Sequence, residues 1–594
     1  MYRAPLREIR FVLHELIGDE QVADMPHFSG YSPELADAVL EQAGRFAETV
    51  LVPINRTGDR EGAVWSDAGV RMPQSFKRAY EQFAADGWGQ LRVASEDGGQ
   101  GAPTLLSTAV EELWASANLA FKLCPMLTQC AIEALSRCGS AEHKKRYLPR
   151  LVSGEWTGTM NLTETQAGSD LGAIRTRAVR DGQHFRIFGQ KIFITYGEHD
   201  LTENTIHLVL ARIDAAPQGI KGLSLFLVPK VLVNDDGTLG ARNDVRCVSI
   251  EHKLGIHASP TCVLTYGDDG GAIGYLLGEA NRGLEYMFIM MNTARLSVGL
   301  EGYALTESAY QQALHWAMQR LQGRPRTKAA AIDGQALPIA HHPDVKRMLL
   351  TMKAVADAAR ALTLYASLQL DLAKQTNENA RAAALCRGEL LIPIVKGWST
   401  EIGVEMTSLG IQVHGGMGFI EETGAAQLYR DARISTIYEG TTGIQANDLI
   451  GRKIARDSGM AMNSLLEDIQ AEIEALPTED AALMKTRQRS LEAVSTLRET
   501  TALLLATYAK QPETALASAV PYLKLCGVTL AGWLMAKSHD IALRKMPEDP
   551  AFYGSKQQIA RVFIEHVLPQ SRALAYVIAE GGDSIAAADV ELLS

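Results

Sequence analysis

Residues Gln183–Tyr196 read QHFRIFGQKIFITY. Side-chain character alternates along the stretch, and β-branched and aromatic residues dominate it, the pattern of a strand with one buried face. Four further short runs continue the pattern: Ile206–Arg212, Leu223–Val228, Val245–Ile250 and Cys262–Tyr266, with Gly, Asp and Asn turns between them. Short strands at hairpin-like spacing predict an antiparallel β domain over residues 158–280.

The texture on both sides is helical. Residues 32–157 read as helices joined by short loops, preceded by an amphipathic helical segment over 1–31. Pro33 after Ser32 is a helix start, SEDGGQGAP (95–103) is a breaker-rich interruption, and Ser140 is placed to cap a helix over Ala141–Val152. The tetrad His143–Arg146 on that helix reads as a solvated face. Downstream, 281–455 reads as a bundle with amphipathic helices over Gly283–Met318, Pro343–Lys374, Glu378–Gly410 and Thr423–Asp431. Pro393 predicts a kink or break in the third of these, and Gln322–His342, with two internal prolines, reads as an extended loop. An additional helical domain over 456–594 follows the linker Asp457-Ser458-Gly459. With the strands in one block the fold class is α+β, mainly α. A βαβ dinucleotide site is not expected.

A chain of 594 residues exceeds one hydrophobic core, and 46% hydrophobic with 21% charged residues is the composition of a folded globular protein. The net charge of −11 opposes nonspecific binding to nucleic acid, and the C-terminal domain itself carries more acidic than basic residues. Seven cysteines without a CxxC pair read as reduced thiols, so a cytoplasmic location is expected. The N-terminus MYRAPLREIRFVLHELIG is too interrupted by charge for a secretion signal. Leu525–Ala536 is too short to span a bilayer and reads as a buried helix; weak membrane-surface association of Val520–Ala536 is the alternative.

Chemistry is concentrated in four places. YRDARISTIYEGTTGIQAND (429–448) leaves Glu439 at a turn beside Ile437 and Tyr438, where loss of hydration would raise a carboxyl toward the working range of a general base. LTETQAGSDLG (162–172) offers the hydroxyls of Thr163, Thr165 and Ser169, the charges of Glu164 and Asp170, and close backbone approach at Gly168 and Gly172. It suits a flat heteroaromatic ring, and a polar boundary loop is the blander reading. On an alternating strand Phe193 and Thr195 share a face, an aromatic wall beside a hydroxyl. QVHGGMGF (412–419) is a glycine-rich loop just beyond a helix whose amides suit a phosphate, with Arg320 a candidate to complement a diphosphate and His414 a packing histidine. Metal-ligand spacing, a GxSxG elbow and a Walker-type loop are all lacking from the sequence.

Taken in order, TETQAGSD, FIT, QRLQGR, QVHGGMGF and IYEGTTGIQ resemble the acyl-CoA dehydrogenase family over about residues 40–455. The segment RAPLREIRFVLHEL and the domain after Lys453 are similar to a longer subgroup that includes 3-methylmercaptopropionyl-CoA dehydrogenases and related bacterial fatty acyl-CoA dehydrogenases. The resemblance implies FAD as cofactor and α,β-dehydrogenation of an acyl-CoA to the trans-2-enoyl-CoA. It implies Glu439 as the catalytic base that takes the α-proton, helped by the base's own N–H and a flavin ribityl hydroxyl on the thioester oxygen. It assigns Thr163, Gly168, Ser169, Phe193, Thr195, Arg320, Gln412, Gly415, Gly416 and Thr441 to the flavin, and Ser169, Arg295 and Gly440 to the substrate. An electron-transfer flavoprotein as acceptor and a homodimer that shares its cofactor sites are implied as well. The chain departs from the family in having Phe193 where Trp is frequent, Thr165 and Gln166 where Pro or Gly is frequent, and Leu321-Gln322-Gly323 in place of a Phe-Gly turn. An acyl-CoA oxidase is the rival within enzymes. A DNA-binding flavoprotein, disfavoured by the acidic C-terminal domain, and an acyl-CoA-binding protein with a decayed site are the others.

Overall fold

The computed structural model describes residues 2–593 apart from 324–336, so most of the loop expected over Gln322–His342 lies outside the described residues. The chain divides into two compact units, one of Arg45–Pro103 with Ala117–Ser297, the other of Met1–Gly44, Thr104–Ser116 and Val298–Ser594.

The first unit is built on an eight-stranded sheet. His184–Thr195, the strand foreshadowed by the alternating stretch, pairs with Thr261–Tyr266 and Ala272–Leu277, both antiparallel. Leu223–Pro229 joins Ala272–Leu277 to Asn204–Ile213. Arg177–Asp181 then pairs antiparallel with His184–Thr195 and parallel with Asn204–Ile213, which closes a five-stranded ring. Trp156–Asn161 adds to Asn204–Ile213 in parallel. The sheet is therefore mixed where an antiparallel one was expected. Trp156–Asn161 alternates, with Thr157, Thr159 and Asn161 on one face, yet all six residues are buried: Thr157 Oγ1 lies 3.0 Å from His199 Nε2 and the Thr159 hydroxyl donates to the Thr195 carbonyl at 2.8 Å. Alternation does not tell whether a strand pairs parallel or antiparallel, which is where the expectation fails. Phe185, Ile187, Val209, Phe226, Val228 and Leu264 form the core of this unit. The Ser140 cap forms as expected, its side chain accepting the His143 N–H at 3.1 Å.

The second unit is helical. Pro343–Leu372, Ala425–Ala432 and Thr442–Asp448 pack on Glu378–His414, and the later turns of Gly283–Gln319 approach that helix closely, since a Cβ on Gly302 would lie 1.9 Å from the Ser399 carbonyl oxygen. Glu378–His414 does not break at Pro393 and runs four residues past its expected end. Met460–Glu474, Ala481–Lys510, Ala519–Lys545, Pro550–Val562 and Gln570–Ala586 make up the C-terminal domain. Ala519–Lys545 is long and apolar enough to cross a membrane, but 83% of its most apolar window is buried inside the protein. Gly397 and Gly527 mark where it meets Glu378–His414: a Cβ on Gly397 would lie 2.6 Å from Leu523, and one on Gly527 would lie 2.2 Å from the Trp398 ring.

A buried ion cluster ties this unit together. Arg360, fully buried, pairs with Glu112 at 2.7 Å and with Glu307 and Asp357 at 2.9 Å each. Lys353 and Lys556 both reach Asp357 at 2.8 Å, and both pair with Glu8 of the N-terminal segment. Burial raises Glu112 against the pull of Arg360, whereas Lys353, Lys556 and Arg360 hold Asp357 low despite its burial.

Candidate active site

Glu439, Gly440, Thr441, Arg320, Gln412, Gly415 and Gly416 belong to the helical unit. Thr163, Gly168, Ser169, Phe193, Thr195 and Arg295 belong to the β unit.

In the helical unit, a 3₁₀ turn over Arg433–Thr436 ends the approach from Ala425–Ala432, and Thr441 starts Thr442–Asp448 by accepting the Ile444 N–H at 3.3 Å. Glu439 stands between them with φ +55°, in the left-handed region that a non-glycine residue enters at a cost. Gly440 follows at φ +89°, a conformation that favours glycine, and a Cβ there would lie 2.7 Å from Gln445 Nε2 and push that amide off the carbonyls it holds. The surroundings hold this strained pair in place. Gln445 donates to the Glu439 carbonyl at 3.0 Å and to the Gly440 carbonyl at 3.3 Å. Lys396, fully buried, donates to the Gly440 carbonyl at 2.6 Å. Before the turn the Tyr438 hydroxyl donates to buried Glu301; after it the Thr442 hydroxyl donates to Glu401 at 2.6 Å. Glu439 itself is half-buried and Ile437, two residues before it, is 46% exposed, so this isoleucine supplies less apolar cover than the sequence alone suggests.

Arg320 and the glycine loop lie together at one end of this unit. His414, last residue of its helix, stacks on Trp316 with ring centroids 5.4 Å apart, which brings the helix end before Arg320 alongside that before Gly415. His414 is a packing residue, its Nδ1 2.7 Å from the Gly410 carbonyl and burial holding its pKa low. Gln412 lies within the helix, not beyond it. Arg320, Gln412, Gly415 and Gly416 are all exposed, and a Cβ on either glycine would meet nothing within 4 Å. Because these glycines follow a helix C-terminus, the helix dipole opposes an anion there, and attraction for one falls to Arg320 and the loop amides.

In the β unit the loop after Trp156–Asn161 is organised by Glu164. Its buried carboxylate accepts from Lys191 Nζ at 2.9 Å, Thr176 Oγ1 at 2.5 Å, and the Arg175 and Thr176 N–H groups at 2.7 and 3.0 Å. Burial opposes the charge, but Lys191 and these donors bring its pKa down to about 2. Burial likewise lowers Lys191 to about 8 against the pull of Glu164. Lys191 Nζ also donates to the Leu162 carbonyl, and Ile192 N–H to the Thr163 carbonyl at 2.9 Å, so the loop is fastened to the strand beside Phe193. Gly168 and Ser169 are exposed at its tip.

Phe193 does not lie on a regular alternating strand. Pairing with Thr261–Tyr266 shifts between Cys262 and Leu264, leaving two residues opposite one, and Phe193 sits in this bulge with φ +59°. Its ring is 58% exposed, and Thr195 is half-buried. The bulge re-aims the aromatic side chain, so alternation alone does not account for its direction. Arg295 is buried on Gly283–Gln319 with its guanidinium 5.8 Å from the Phe288 ring centroid. The residues missed from sequence are Lys396, Gln445, Glu301 and Lys191. Lys396 did carry a signal, a lone lysine inside the apolar run LLIPIVKGW.

Models of the acyl-CoA dehydrogenase N-terminal, middle and C-terminal domains match residues 33–155, 159–268 and 281–454, and an acetyl-CoA dehydrogenase C-terminal-like model matches 465–589. The chain is 46% identical to the 3-methylmercaptopropionyl-CoA dehydrogenase of Ruegeria pomeroyi, over 99% of this chain and 100% of that one. Its fold is similar to that of Caenorhabditis elegans ACDH-11 in complex with C11-CoA, with TM-score 0.76 at 20% identity over 95% and 91% of the two chains. It is also similar to a Bacillus anthracis acyl-CoA dehydrogenase complexed with FAD, with TM-score 0.74 at 21% identity over 100% and 94%. The chain belongs to the acyl-CoA dehydrogenase family.

Proposed function

We propose that the protein is a FAD-dependent dehydrogenase of acyl-CoA thioesters in which Glu439 removes the α-proton. The observation that carries this is the strained, clamped turn at Glu439–Gly440 in a chain of this family. An α-hydrogen of a thioester is too weakly acidic for an unaided carboxylate, so the base needs fixed aim and donors at the thioester oxygen. The turn supplies the aim, because its backbone is held from both sides and the carboxylate has a fixed origin. The Glu439 N–H serves as one donor to the oxygen. When bound, FAD supplies the acceptor for the β-hydrogen as hydride.

The residues present suit the cofactor. An exposed aromatic ring at Phe193 beside Thr195, next to a loop made rigid by Glu164, offers a flat surface and hydroxyl donors for the isoalloxazine, with Thr163, Gly168 and Ser169 on the loop. Open glycines at 415 and 416 with Arg320 and Gln412 offer amides and a cation for the diphosphate, and Thr441 adds a contact after the base. Ser169, Arg295 and Gly440 are assigned to the acyl-CoA.

A homodimer is proposed because Met318, Leu321, Met417, Phe419 and Ile420 are exposed large apolar residues around Arg320 and the glycine loop. An electron-transfer flavoprotein is the proposed acceptor and the cytoplasm the proposed location. Full-length likeness to the Ruegeria pomeroyi enzyme makes 3-methylmercaptopropionyl-CoA the first substrate to try. The test is turnover of that thioester against saturated acyl-CoAs from short to long, with a dye acceptor and the purified, yellow protein. Turnover of none of them, or a protein that takes up no flavin, refutes the reading.

A further inference from the structure

The C-terminal domain reaches the glutamate turn along two routes, both inside the helical unit. Along the first, Leu523 lies where a Cβ on Gly397 would be 2.6 Å away, and the Trp398 ring lies where a Cβ on Gly527 would be 2.2 Å away. The residue before Gly397 is Lys396, whose ammonium holds the Gly440 carbonyl. Two glycines, one on each helix, thus allow Ala519–Lys545 to press directly on the segment that carries Lys396. Along the second route, Lys524 Nζ lies 3.4 Å from Glu401 Oε2, while Glu401 Oε1 accepts from the Thr442 hydroxyl at 2.6 Å. Thr442 is the first residue of the helix that follows the turn.

The turn needs such support. Glu439 at φ +55° costs energy in isolation, and a residue so placed stays there only when its neighbours over-determine it. Gln445 holds the carbonyls of Glu439 and Gly440 and Lys396 that of Gly440, and the position of Lys396 is set by what packs behind its helix. We infer that helix Ala519–Lys545 of the C-terminal domain is a working part of the active site: Leu523 and Lys524 act as positioning residues for Glu439, through Lys396 and through Glu401–Thr442. The domain does more than add stability, because it sets the origin from which the base attacks. This inference rests on Glu439 being the base.

The test uses flavin-loaded, full-length protein mixed anaerobically with a substrate the wild type oxidises, with and without deuterium at the α-carbon. Lys524→Met leaves a partly exposed site and is expected to fold; Leu523→Ala/Lys524→Met removes both routes at once. Thermal midpoint and flavin content are recorded for each, and rates are read well below the midpoint. The single variant is expected to slow flavin bleaching about two- to fivefold, the share of a partly exposed ion pair. The double variant is expected to slow it about tenfold or more, as a small misplacement of a base does. In both, substrate affinity stays within about twofold, and the α-deuterium effect is retained or enlarged because proton removal limits the rate. A purely stabilising domain would lower the midpoint and leave rate and isotope effect at wild-type values, which would overturn the inference. Glu439→Gln in the same assay separates the two levels. If it bleaches the flavin normally, the reading of Glu439 fails; if it is inactive while the double variant runs at the wild-type rate, only the role of the C-terminal domain fails.

Discussion

Lys191 Nζ donates to Glu164 Oε1 at 2.9 Å inside the β unit, and the same ammonium holds the Leu162 carbonyl. One buried lysine therefore fixes both the residue before Thr163 and the carboxylate after it. Glu164 has a pKa of about 2 in the fold against an ordinary 4.5. Its depressed pKa means that it stabilises fully above about pH 4.5 and that the contribution disappears as pH falls toward 2, while the lowering of Lys191 by burial offsets part of it at neutral pH. Glu164→Gln leaves buried Lys191 without its counter-ion and is expected to cost about 3 kcal/mol at pH 7, with the gap to wild type closing as the pH is lowered. Denaturant unfolding at a series of pH values measures it; a gap independent of pH would contradict the ion-pair account.

Gly440→Ala is expected to cost about 1–3 kcal/mol, since φ +89° strains any side chain and the new Cβ displaces Gln445 Nε2. Turnover should drop more than about tenfold with the flavin retained, because the strain is released at the base. Unfolding curves beside steady-state rates check this. A variant with wild-type turnover would mean that the geometry of the turn does not matter to the chemistry.

Arg320→Ala is expected to weaken flavin retention about tenfold or more, the worth of one charge-assisted hydrogen bond to a diphosphate. The flavin absorbance left after gel filtration reports it. Equal retention would move the diphosphate contact to other residues.

Lys556→Met leaves Asp357 and Glu8 short of one cation in the buried cluster. The expected loss is about 3–5 kcal/mol. Arg347→Ala, which removes an exposed pair with Asp344, should cost under about 1 kcal/mol. Paired denaturation measurements distinguish them, and similar losses for both would deny the cluster its role in holding the N-terminal and C-terminal segments to the bundle.

What could be read from sequence was what depends on near neighbours. The alternation of Gln183–Tyr196 gave a strand within one residue of His184–Thr195, the Ser140 cap sits where its side chain reaches His143, and Gly440 after Glu439 marks a turn. Partners distant in the chain were not legible. Glu164 looked like loop charge, and only Lys191, 27 residues on, makes it the anchor of the loop. The re-aiming of Phe193 depends on where Thr261–Tyr266 changes register, which local periodicity does not carry. The parallel pairing of Trp156–Asn161 with Asn204–Ile213 likewise depends on a distant partner, and alternation carries no strand direction. Lys396 is 44 residues from the carbonyl it holds. Of the kink or break expected at Pro393, the break does not occur, for the helix around it is packed on the bundle and continues.

The central claim is that Glu439 takes the α-proton, and the most direct measurement is anaerobic mixing of flavin-loaded Glu439→Gln with an acyl-CoA that bleaches the wild-type flavin. The account predicts that the variant binds the thioester, seen as a perturbed flavin spectrum, while the flavin stays oxidised. Bleaching at a rate near that of the wild type would contradict it.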